Sequence, residues 1–137
     1  MKRIITLFGT FLFAVFFELF VRIVIIIYQQ TEFTFYGTAS LPGWQWIAIF
    51  AVAILISSWI AGMLNATIMN SAHPINFVVL LLLMFTWRIS EYFANPDPEL
   101  SFSLILILMH AIALLLAYFT KQKIDEQIAN TPVHPTD

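Results

Sequence analysis

The sequence has no cysteine, only four glycines and little charge: 10% of its 137 residues are Asp, Glu, Lys or Arg. Without cysteine there is no disulfide scaffold and no thiolate chemistry. Isolated glycines build no phosphate-cradling loop. A soluble domain is about 25% charged, so this chain cannot coat a water-facing surface of its size. Six Lys and Arg against eight acids, for a net charge of −2, exclude the clustered basic face of a nucleic-acid binder. What the chain has in excess is apolar: 61% hydrophobic residues, fourteen of them phenylalanine. The class that remains is a small multi-span membrane protein.

A helix crossing the hydrocarbon core needs about 20 mostly apolar residues. Four stretches meet that length: about 4–28, 44–66, 75–93 and 100–119. The apolar runs are continuous, whereas a transmembrane β-barrel would alternate. The sequence therefore predicts an all-α integral membrane protein, an antiparallel bundle of four transmembrane helices. Residues 1–120 form the domain, and 121–137 form a short polar tail that frays over 130–137. Segments 29–43, 70–74 and 95–99 connect the helices, with Gly37, Pro42, Gly43, Pro74, Pro96 and Pro98 as punctuation. Lys2-Arg3 before an apolar run imitates a secretory signal. The run ends in bulky Phe16-Phe17-Glu18-Leu19-Phe20 rather than in a small-residue cleavage site, which predicts a retained first span.

Outside the spans the positive residues are Lys2, Arg3, Lys121 and Lys123, while the first and third loops carry Glu32, Asp97 and Glu99. The positive-inside rule then places both termini in the cytoplasm. Tyr28, Tyr36, Trp44, Trp46 and Tyr92 fall at the outer interface, where amphipathic rings settle.

Four ionisable residues interrupt the spans: Glu18 and Arg22 in the first, Arg88 and Glu91 in the third. An isolated charge at a helix centre costs roughly 2.5–3.5 kcal/mol on insertion scales. Each pair shares a helix face, at i,i+4 and i,i+3 respectively. At about 1.5 Å rise per residue, Glu18 and Arg88 both lie roughly 20 Å from the inner ends of their helices. Depth and sign match, so Glu18 is expected to face Arg88, and Arg22 to face Glu91, in the outer half of the membrane. Thr6, Thr10, Ala14, Glu18 and Arg22 recur every fourth residue and trace one face. Small residues recur at Ala53, Ser57 and Ala61 and at Ser58, Gly62 and Ala66 in the second span. His110, Ala113 and Ala117 recur in the fourth. Such spacing allows close helix approach. His110 falls near the midplane, within reach of Glu18.

Catalytic signatures are missing: no G-x-S-x-G, no H-E-x-x-H, and no aspartate within a span. His73, His110 and His134 are too dispersed to bind metal together, and no cofactor is expected. Asn65-Ala66-Thr67 fits the glycosylation pattern but falls at the inner end of the second span. The expected function is that of a non-enzymatic, multi-pass protein of the cell membrane, an accessory or interaction subunit with an intramembrane ion-pair network. The alternative is a small proton- or ion-coupled transporter or channel using the same cluster: Glu18, Arg22, Arg88, Glu91 and His110. The expected partners are the lipid bilayer and a second copy or a larger membrane complex, and no nucleic acid.

Overall fold

The computed structural model describes residues 1–29, 44–94 and 100–130. They form four helices: α1 (Lys2–Gln29), α2 (Trp44–Ile68), α3 (Pro74–Ala94) and α4 (Leu100–Asn130). No strand occurs among the described residues. The shortest helix, α3, has 21 residues and is about 30 Å long. All four are long and apolar enough to cross a membrane, the pattern of a multi-pass membrane protein. Glu32, Tyr36, Asp97, Glu99, His134 and the first and third connections lie outside the described residues.

The fourth helix does not end where its apolar run ends. It continues through Thr120 to Asn130, so the first part of the expected polar tail is helical. Lys121 pairs with Asp125 one turn on, and the Gln122 amide donates to the Tyr118 hydroxyl at 2.8 Å. Both contacts are i,i+4, and Lys, Gln and Glu are good helix formers. Hydropathy stops at residue 119, but helix propensity does not.

Between α2 and α3 the turn is fully determined. Ser71 N–H donates to the Ala66 carbonyl and Asn70 N–H to the Thr67 carbonyl, both at 3.0 Å. Asn70 adopts φ 49°. This is a Schellman cap, with Asn in the left-handed position usually given to Gly. His73 then caps α3, its Nδ1 accepting from Ile75 N–H at 3.3 Å, and Pro74 opens the helix where no N–H is needed.

Cross-helix contacts give the packing order. Tyr28 meets Trp46 and Asn65 meets Thr10, so α1 and α2 are antiparallel. Phe77 meets Tyr118 and Arg88 meets His110, so α3 and α4 are antiparallel too. Phe50 lies on Phe102, and Ser58 on His110, so α2 and α4 run parallel. Glu18 with Arg88 and Arg22 with Glu91 make α1 and α3 parallel. The α2–α4 interface is the most extensive, the α1 and α3 backbones approach little, and the α1 and α4 backbones do not come close among the described residues. The ring order is therefore α1, α2, α4, α3. The start of α1, the α2–α3 turn and the end of α4 share one end of the bundle. Tyr28, Trp44, Trp46 and Tyr92 are at the other.

The bundle is apolar outside and partly polar inside. Ile4, Phe8, Phe20, Ile27, Leu82, Leu108 and Phe119 are exposed, whereas Glu18, Arg22, Arg88, Glu91 and His110 are buried. Small residues form the α2–α4 seam: Ser57, Ser58, Ala61, Gly62 and Ala66 against Ala113 and Ala117, all buried. A Cβ placed on Gly62 would sit 2.8 Å from Ala117 Cβ and 3.1 Å from Leu114 Cδ2. Ala117 Cβ is fixed to its backbone and cannot swing away, so two helices would have to part. Gly9, by contrast, has nothing within 4 Å of such a Cβ.

Gly62→Ala is therefore expected to destabilise the fold by about 1–3 kcal/mol, the usual cost of overpacking. Gly9→Ala should be neutral or slightly stabilising, since Ala is the better helix former. Thermal unfolding in detergent checks both; equal midpoints for the two variants would contradict the close approach.

Candidate functional site

The every-fourth-residue face of α1 points inward along its whole length: Thr6, Thr10, Ala14, Glu18 and Arg22 are all buried. On α3, the 3.6-residue period carries Asn76, Leu80, Met84, Arg88 and Glu91 to the inner side. The two faces meet at their charged positions.

Arg88 is the centre of the site. Its Nη2 pairs with Glu18 Oε2 and its Nη1 with Glu91 Oε2. Arg22 Nη2 closes the line at 2.8 Å from Glu91 Oε1. The result is an alternating string, Arg22, Glu91, Arg88, Glu18, in which every charge has an opposite neighbour. Arg88 and Glu18 are each 2% exposed, so these attractions act without much screening by water. Arg22 also lies 4.8 Å above the Phe50 ring centre, a cation–π distance. Its Nε finds no hydrogen-bond partner.

His110 joins the string from α4. Arg88 Nε and Nη2 lie 3.1 and 3.0 Å from His110 Nε2. Arginine has donors only, so Nε2 must present its lone pair. The proton of the neutral ring then sits on Nδ1 and is donated to Ser58 Oγ at 2.6 Å. Glu18 Oε1 is 3.4 Å from Nε2, two acceptors held apart by the shared Arg88 donor between them. The network thus spans α1, α3, α4 and α2 in turn.

All five residues singled out by sequence come together. Glu18 and Arg22, though one turn apart, do not pair with each other; each reaches across to α3. Ser58 was expected only as a small packing residue, and its role as acceptor for His110 was not foreseen. Nothing in its local sequence separates it from Ser57, whose hydroxyl donates to the Ile54 carbonyl at 3.0 Å.

A Ser–His contact invites comparison with nucleophilic catalysis. Here the imidazole donates to the serine, and its only lone pair is held by Arg88. It cannot take the hydroxyl proton, which is the step a general base must perform. Among the described residues no group of three His, Asp or Glu side chains could hold a metal ion. Asn65 of the glycosylation pattern is buried, and its amide donates to Thr10 Oγ1 at 3.3 Å.

Ser58→Ala leaves the His110 N–H without its acceptor and is expected to cost about 1–3 kcal/mol. Adding His110→Leu to Ser58→Ala should cost less than the sum of the two singles, because leucine has no N–H to satisfy. A double-mutant cycle on unfolding free energies reads this coupling; strict additivity would show that the 2.6 Å contact carries no energy.

Compared with protein-family models, with curated proteins and with solved structures, the chain gives no match, and the functional reading rests on its own geometry.

Proposed function

We propose that the chain is a non-enzymatic, multi-pass protein of the cell membrane, with both termini in the cytoplasm. It acts as an accessory or interaction subunit whose charge network fixes which helices pack together. One observation carries this reading. The helices that exchange the charges, α1 and α3, have little other contact, yet four buried side chains from them neutralise one another.

The physics is that of specificity rather than of raw stability. Desolvating ions is costly, and a well-formed buried pair gains little over apolar packing. A broken pair is different: an uncompensated buried charge costs about 3–5 kcal/mol. Any packing that separates α1 from α3, or shifts one by a turn, is penalised in this way. A subunit that must present one defined surface to a larger complex gains from such a penalty. Lys2, Arg3 and Lys123 support the orientation, as they lie at the end of the bundle that holds the α2–α3 turn.

The alternative is a small proton- or ion-coupled transporter or channel that uses the same five residues. The Arg22 N–H without a partner is the observation in its favour. The mutual saturation of Glu18, Arg88 and Glu91 weighs against it, because a coupling acid needs a state without a permanent partner.

Arg88→Met should lower stability by about 3–5 kcal/mol, since it leaves the buried Glu18 carboxylate without its cation. Glu18→Arg should do the same by placing two cations together. Combining Glu18→Arg with Arg88→Glu should recover most of the loss measured for either single variant. Recovery is read from thermal unfolding and from monodispersity in detergent. Wild-type stability in the single variants would end the reading that the charge network fixes the packing.

A further inference from the structure

A groove opens on the outside of the bundle, between α3 and α4. Its walls run from Pro74 to Leu81 on α3 and from Ala111 to Tyr118 on α4. The two helices are antiparallel, so Pro74 lies beside Tyr118 and Leu81 beside Ala111. Phe77 meets the Tyr118 ring edge-on at 5.4 Å, and the buried Leu114 closes the bottom. Ala111 ends at its Cβ and leaves a gap in a wall that is otherwise built of leucine and tyrosine.

Its dimensions are those of a single hydrocarbon chain. The groove holds about 260 Å³. A cavity of about 150 Å³ takes up a six-carbon ring, so roughly ten carbons fit here at the same density. The span from Pro74 to Leu81 is about 10 Å along the helix. Volume over length leaves a cross-section of about 25 Å². The lining side chains are apolar apart from the Tyr118 hydroxyl at one end, so a polar group lying along the groove would find no partner.

The surroundings select the occupant. Both helices are long and apolar enough to cross a membrane, so the groove faces lipid. Walls left without neighbours forfeit their dispersion contacts, and two apolar occupants can restore them: an acyl chain, or side chains of a helix from another protein. A partner helix packs where small residues let backbones approach, as Gly62 and Ala117 do within the bundle. The rim here is bulky instead. Val78 is 52% exposed, and Leu82 and Leu115 are each 56% exposed; they hold a second backbone away. A helix would also enter as separate knobs, whereas this is one trough running along the helices.

The Tyr118 end suits the rest of a lipid. Tyr118 Oη accepts from Gln122 Nε2 at 2.8 Å, and its own proton has no acceptor among the described residues. It is a donor where the apolar run of α4 gives way to Thr120, Lys121 and Gln122, and tyrosine settles at such a boundary. The ester carbonyl that joins an acyl chain to glycerol is a matching acceptor. We propose that the α3–α4 groove binds one acyl chain of a phospholipid, its ester end at Tyr118 and its methyl end toward Leu81 and Ala111. The inference rests on the membrane-spanning helices and not on the role of the charge network. With the orientation proposed above, this lipid belongs to the cytoplasmic leaflet.

The test uses the full chain in vesicles of phosphatidylcholine, a fraction of which carries a photoactivatable diazirine on one acyl chain. Val78 in the groove and Phe8 on α1 make a matched pair. Each stands ten residues before one partner of the Arg88–Glu18 contact, so they share a depth, and they are 52% and 55% exposed. After illumination and digestion, mass analysis should find adducts on Val78 and Leu115 roughly tenfold denser than on Phe8. Equal labelling of the three residues overturns the proposal. Ala111→Phe fills the groove and should bring Val78 and Leu115 down to the level of Phe8; undiminished labelling in that variant overturns it as well. Should the variant fail to fold, the comparison within the unsubstituted chain still decides. Labelling weaker in the groove than at Phe8, in a chain that runs as an oligomer, would assign the groove to a second protein and end the lipid reading.

Discussion

Arg88 shared between two carboxylates is the interaction on which the bundle depends. It is fully enclosed, it is the only group touching both Glu18 and Glu91 among the described residues, and its remaining donors orient His110. Remove it and Glu18 is left without a cation in an apolar interior, while Glu91 keeps only Arg22. The Nε2 of His110 loses its donors as well. The rest of the interior is arranged around this guanidinium: the small residues of α2 and α4 close tightly on one side, and the long face of α1 brings two charges from the other.

The division of labour between the interfaces follows. The α2–α4 seam holds by close approach of Gly62, Ala113 and Ala117, where dispersion grows with proximity. The α1–α3 crossing has little such contact and is set by charge. One interface supplies packing that tolerates small sliding. The other supplies a register that does not, because a one-turn slip of about 5.4 Å would leave every charge opposite the wrong neighbour.

Much of this was legible in the sequence. The four helices follow from the apolar run lengths, and the convergence of Glu18 with Arg88 follows from counting rise along two helices that run in the same direction. Helical period alone placed Thr6, Thr10 and Ala14 inside. Three things were not legible. The ring order was hidden, because adjacency in the chain suggests that α2 and α3 are close neighbours, whereas α2 packs mainly on α4. Small-residue stripes on both helices were visible, but nothing in one stripe names its partner. Lys121 read as a surface charge of a polar tail, although its spacing of four from Ala117 extends the buried face of α4. Asn76 fell inside the third span with no direction assigned to it, although four-residue steps join it to Leu80, Met84 and Arg88.

The separation of 70 positions between Glu18 and Arg88 along the chain has a consequence for biosynthesis. At about 5–20 residues per second, roughly 4–14 s pass between emergence of the first acid from the ribosome and emergence of its counterion. Through that interval Arg22, one turn on along the same helix, is the counterion within reach of Glu18. The linear distance between Glu18 and Arg88 thus sets how long the acid goes without its folded-state counterion.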